Sequence, residues 1–222
     1  HATKPDGTFS SRLLGNRRAL GAVSLVVADV AAKTIGLLIT PYLANRMGPA
    51  EFGVLNLYLS VIQILTFVIS VGGAPLLAVE YIRSGYTAAR RLRAANLRLS
   101  MAISVVLIAI SLAMSWFTPS AVPLASGVLI VAVGYVQALN IMELSYYRGA
   151  QTYRLAVTGQ IAFAASSVLL TVLIFEFESP TATNRLLSIA LAGAVIQTAY
   201  ALELRRKYYA APDKATRRSY TV

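Results

Sequence analysis

Apolar residues along this chain gather into six long runs, each separated from the next by a short polar or turn-forming segment. The runs cover residues 19–43, 54–79, 97–117, 123–144, 155–175 and 186–202. None shows the strict alternation of a barrel strand, and each is close to the roughly 20 residues a helix needs to cross a hydrocarbon core. The pattern predicts an all-α, polytopic membrane protein with six transmembrane helices. Turn signals fall between the runs at Gly48-Pro49, Thr118-Pro119 and Ser179-Pro180. The one longer connection is the charged stretch Glu80–Asn96. Pro41 and the segment Gly72-Gly73-Ala74-Pro75 predict kinks in the first two helices, which serve either packing or bending.

Composition agrees with this pattern. The chain has 222 residues, 57% hydrophobic and 13% charged, about half the charged fraction of a soluble domain. A net charge of +11 could point to nucleic acid, but the basic residues flank the apolar runs, as in loops that face a membrane. No nucleic-acid partner is expected. Cysteine is absent and His1 is the single histidine, so disulfides, thiolate chemistry and a Cys/His metal site are not expected; nor is any cofactor. The first run is too long for a signal-peptide core and reads as a signal anchor. With no initiator Met, the chain reads as a fragment.

Lys and Arg distribute unequally between the two sides. Seventeen lie in a basic N-tail (1–18), the 80–96 connection with Arg98 at the start of the next run, the loop after the fourth run and a basic C-tail (205–222); only Arg46 and Arg185 lie opposite. The positive-inside rule then predicts cytoplasmic termini in the inner membrane. The arginines Arg83, Arg90, Arg91 and Arg148 on that side could meet anionic head groups of membrane lipids, although topogenesis alone also accounts for them.

Polar residues inside the runs are the candidate chemistry, because a charge at the bilayer centre costs several kcal/mol and must face protein or water. Asp29 and Lys33 are four residues apart on one helical face. Two readings stand: a self-neutralising structural pair, or a cavity cation for an anionic head group with Asp29 tuning it. Gln137, Asn140 and Glu143 form a stripe in the fourth run, for interhelical hydrogen bonding or for lining a cavity. Glu143 can also pair with Arg148 at the boundary. Gln63, Gln160 and Gln197 read as isolated amides that glue helices together.

The segment Ala44-Asn45-Arg46-Met47-Gly48-Pro49-Ala50-Glu51-Phe52-Gly53 resembles the junction between the first two helices of polysaccharide-type flippases. Tyr146-Tyr147-Arg148-Gly149 and Tyr153-Arg154 also resemble this family. The similarity is to the multidrug/oligosaccharidyl-lipid/polysaccharide exporter superfamily, nearest to Wzx-type O-antigen and exopolysaccharide transporters. Its members pair two six-helix lobes around a cavity and work by alternating access, without covalent chemistry. The resemblance implies a non-enzymatic N-terminal lobe that flips a polyprenyl-pyrophosphate-linked glycan. It also implies a partner: a second lobe or a second copy. Ala32-Lys33-Thr34-Ile35-Gly36 is similar to the place where relatives carry a pyrophosphate-binding cation, so the resemblance assigns that role to Lys33. Two alternatives remain: a drug/cation antiporter of the same superfamily, which Asp29 favours and Lys33 opposes, and a membrane-embedded transferase, which short outer loops and a histidine found only at position 1 oppose.

Overall fold

The computed structural model describes residues 8–71, 73–117, 124–150 and 152–210, with side chains described over 21, 23–71, 73–117, 124–150 and 152–203. The tails 1–7 and 211–222, and the Thr118-Pro119 turn, lie outside the described residues. Everything described is helix apart from short connections. The elements are α1 (Thr8–Ser70), α2 (Gly73–Phe117), α3 (Leu124–Gly149), α4 (Tyr153–Phe177) and α5 (Ala182–Ala210).

Helix–helix contacts give the direction of each segment. Along α1 before Gly48, Gly21 lies against Tyr153, Asp29 bonds Gln160 and Arg46 pairs with Glu176, so this arm runs parallel to α4. Beyond Gly48, Thr66 reaches Gly134 and Gln137, and Ala78 and Tyr81 lie against Gly149, so the chain there runs parallel to α3. Helix α5 is parallel to α3 (Ser126 to Thr183, Asn140 to Gln197) and antiparallel to α4 (Thr171 to Ser188, Gly159 to Tyr200). The two arms of α1 are therefore antiparallel, with the reversal at Gly48. A second reversal falls at Gly85, because Ser100 bonds the Ile69 carbonyl and Asn96 lies against Gly73.

Both reversals depend on glycine. Gly48 has φ 75° and ψ 168°, and Gly85 has φ 79° and ψ −174°. Only glycine adopts that region without strain of about 1–3 kcal/mol. A Cβ at Gly48 would meet nothing within 4 Å, so crowding plays no part there. Gly48→Ala is accordingly expected to destabilise the protein by about 1–3 kcal/mol through the backbone alone. A melting temperature equal to that of the native protein would contradict it.

Several predicted boundaries change. The described residues contain four stretches long and apolar enough to cross a membrane, the first of them Val23–Phe117, 95 residues. The predicted connections 44–53 and 80–96 are helical except at Gly48 and Gly85. Ala and Arg dominate the second of these, and as strong helix formers they carry the helix through the charged stretch. The predicted second run, 54–79, is interrupted at Val71, whose φ is 50°, beside the Gly-Gly-Ala-Pro segment. Pro41 causes no such break: helical dihedrals run through it, with Ile39 and Leu43 buried on either side.

Ile39, Leu43, Leu55, Ile62, Val133 and Leu186 form one buried cluster toward the Gly48 end, and Leu25, Tyr146, Tyr147 and Tyr200 form another toward the Gly85 end. Glycine lets the helices approach closely. A Cβ on Gly193 would sit 1.9 Å from Val136, and one on Gly159 would sit 1.6 Å from the Tyr200 hydroxyl. Small residues at helix contacts are what packing in lipid favours. Leu37, Leu38, Phe67, Ile110 and Leu169 instead face outward, as lipid-facing side chains do.

Candidate functional site

Between α1, α3, α4 and α5 lies a cavity of about 420 Å³. Four of its polar walls are Asp29, Lys33, Gln137 and Asn140, all named from the sequence, and Gln160 and Tyr200 join them. Lys33 Nζ is 2.7 Å from Asp29 Oδ2, the i, i+4 pairing that the spacing predicts. The lysine side chain is 74% exposed and the aspartate 41%, so the pair sits at the mouth of the cavity. Gln160 Nε2 donates to Asp29 Oδ1 at 2.9 Å, which makes this residue a partner of the charged pair rather than an isolated amide. Gln197 likewise donates to Asn140 Oδ1 at 2.5 Å, and Thr66 to Gln137 Oε1 at 3.3 Å.

Glu143 stands apart from that cavity. Its side chain is 2% exposed, and Arg93 of α2 donates to it through Nε (3.0 Å) and also through a terminal nitrogen. The Arg93 guanidinium lies 5.7 Å from the centre of the Tyr146 ring. The expected contact with Arg148 is replaced because α3 turns Glu143 inward toward α2, while Arg148 is exposed. Arg83, Arg90 and Arg91 are exposed at the same end of the bundle. At the opposite end, the junction residues form a clasp: Arg46 pairs with Glu176 and lies over the Tyr42 ring, and Glu51 accepts from the Ala182 backbone N–H at 3.0 Å. Gly48 makes the reversal, Pro49 follows it, Phe52 packs against the core, and Gly53 faces open space.

Two features escape sequence reading. Arg185 is buried among hydroxyls, bonding the Ser167 carbonyl (2.9 Å), Ser188 Oγ (3.3 Å) and Thr171 Oγ1. The second feature is a polar band on the two arms of α1. Lys33 and Gln63 each lie fifteen residues from Gly48, Gly36 and Ser60 each twelve, and Thr40 and Asn56 each eight. All of these are exposed except the half-buried Thr40. The signal was available as mirror spacing about the glycine turn, and it needed the reversal to be recognised.

The arrangement of the helices has a counterpart among solved structures. It is similar to a solved multidrug resistance MATE family transporter of the MOP superfamily, in an outward-facing conformation, with a TM-score of 0.61 and 16% identity. The match covers 84% of this chain and 45% of that one, so the chain spans somewhat less than half of that transporter. The fold is thus shared with that transporter. Residues 19–222 match the polysaccharide biosynthesis protein family, and the chain belongs to it. No curated protein matches the chain.

Proposed function

We propose that this chain is one lobe of a transporter that moves a lipid-linked glycan across the cytoplasmic membrane by alternating access. The observation that carries the reading is the exposed polar band on α1. Lys33, Asn56, Ser60 and Gln63 point away from the lobe at depths where lipid would otherwise meet them, and an outward-facing ammonium in hydrocarbon costs several kcal/mol. They must face water or another protein surface. A second lobe or second copy opposite this band would enclose a polar passage, with Lys33 placed to meet a pyrophosphate while the polyprenyl tail stays in lipid. Membership of the polysaccharide biosynthesis family supports a glycan cargo. The drug/cation antiporter reading fits less well, because Lys33 neutralises the carboxylate that would hold a cation. Proteoliposomes carrying the full-length protein and a polyprenyl-pyrophosphate-linked oligosaccharide test the reading directly. The probe should become accessible on the opposite leaflet faster than in empty vesicles; equal rates would reject it.

The reversals at Gly48 and Gly85 support reading Val23–Phe117 as three crossings, for six in all. Exposed arginines at the Gly85 end support a cytoplasmic Gly85 end, in keeping with the positive-inside rule. Both termini then lie in the cytoplasm, and Arg83, Arg90, Arg91 and Arg148 meet the anionic inner leaflet. These 222 residues hold no cysteine, so a single replacement supplies the one thiol among them. Ala50→Cys and Ser179→Cys should react with an impermeant maleimide in intact spheroplasts, and Ser84→Cys only after permeabilisation. Labelling of Ser84→Cys from outside would overturn this topology.

A further inference from the structure

We infer that the cavity inside the lobe is a subsite for a neutral sugar ring, held through hydroxyl groups and not through charge. This rests on the transport reading above and separates two parts of its cargo: phosphate outside at Lys33, sugar within.

The first argument is electrostatic. Asp29 and Lys33 are the charged residues among the cavity's walls, and at 2.7 Å they neutralise one another. A cation inside the cavity would have to displace Lys33 from Asp29, and an anion inside it would meet the Asp29 carboxylate, whereas the exposed side of Lys33 can still meet a phosphate at the mouth. A neutral ligand pays neither cost.

The second argument is the hydrogen-bond inventory. Gln160 donates to the Asp29 carboxylate, which can only accept, so the orientation of its amide is set and Oε1 is left as an acceptor. That oxygen is buried without a partner, and so is Asn140 Nδ2, a donor whose Oδ1 is already taken by Gln197. An unsatisfied buried polar atom costs about 1–3 kcal/mol, and the cavity walls supply one of each sense. Both atoms lie behind the cavity surface, and a hydroxyl, which donates and accepts at once, answers either need after a small rotation of the amide. Water could do the same, but it would leave the rest of the cavity unexplained. The volume of about 420 Å³ far exceeds one water's share of roughly 30 Å³ and lies within the roughly 300–1,000 Å³ of ligand pockets.

The third argument is the shape of the lining chemistry. Phe163, Ile141 and Leu144 line the cavity beside Gln137, Asn140 and Gln160, so its walls divide between apolar and polar groups. A pyranose has the same division, with hydroxyls at its rim and C–H groups on its face.

Saturation-transfer difference NMR on the full-length protein in lipid nanodiscs tests this with four probes. These are N-acetyl-D-glucosamine and D-galactose (neutral), sodium pyrophosphate followed by phosphorus line broadening (anionic) and tetraethylammonium (cationic). Transfer to at least one neutral sugar is expected, with affinity falling roughly five- to tenfold in Gln160→Met, the effect of one lost hydrogen bond. Ile141→Trp, which fills the cavity from a partly exposed position and removes no polar group, should abolish transfer and serves if Gln160→Met fails to fold. Absence of transfer to either sugar, transfer to tetraethylammonium alone, or sugar binding unchanged in the filled variant would each overturn the inference. Sugar binding without movement of the lipid-linked probe would sink the transport reading and leave the subsite. Lipid movement without sugar binding would do the reverse.

Discussion

Replacing Lys33 by Ala in the full-length protein is expected to reduce glycan export at least about tenfold, the effect of losing one charge-assisted contact to phosphate. The substitution alone is ambiguous, because it also leaves Asp29 without the ammonium that lies 2.7 Å away. The double variant Asp29→Asn/Lys33→Gln resolves the ambiguity by removing both charges while keeping polar side chains of similar size. If the pair is purely structural, the neutral pair should restore export. If Lys33 meets the head group, export stays low in the double variant, while Asp29→Asn alone retains it because the cation survives. Lys33→Arg should recover part of the activity. Surface polysaccharide, scored beside protein abundance in the membrane, reads all four; full export in Lys33→Ala at native abundance would end the proposed role.

Arg93→Ala is expected to have the largest effect on stability. Glu143 is almost wholly buried, and Arg93, itself 21% exposed, supplies its counter-charge. Removing one partner of a buried pair costs about 3–5 kcal/mol, because the remaining charge loses its compensation without regaining water. Glu143 Oε2 is already buried with no partner, so no spare contact stands ready to replace the arginine. The pair also ties α2 to α3 at the Gly85 end, and its loss should loosen that seam first. Arg93→Met combined with Glu143→Met should recover most of the lost stability, since two apolar side chains carry no desolvation penalty. Thermal melting followed by size-exclusion recovery in detergent measures the series. An Arg93→Ala variant that melts with the native protein would show that the pair contributes little.

These two predictions differ in how far the sequence anticipated them. Asp29 and Lys33 share one helix turn, so their pairing followed from i, i+4 spacing alone. Glu143 and Arg93 are fifty residues apart, and Arg93 looked like one of several loop arginines. Nothing local separates it from Arg90 and Arg91. The difference arises because Ala89 and Arg93 lie on the helix face turned toward the bundle, while Arg90 and Arg91 lie on the exposed face. The same holds for Gln160 and Gln197, which read as lone amides until α4 and α5 packed them against Asp29 and Asn140.

Local chemistry determined that this chain is all-helical and membrane-embedded, where its turns can fall, and which intramembrane charges must find shelter. Apolar run length, helix period and the unique backbone range of Gly48 and Gly85 act within a few residues and need no tertiary context. Packing decided which polar group meets which. It formed the cavity between four helices and turned Glu143 inward to Arg93. Those outcomes depend on which helix faces meet at which depth, and that geometry is set by contacts between residues far apart in the chain, which no local pattern records.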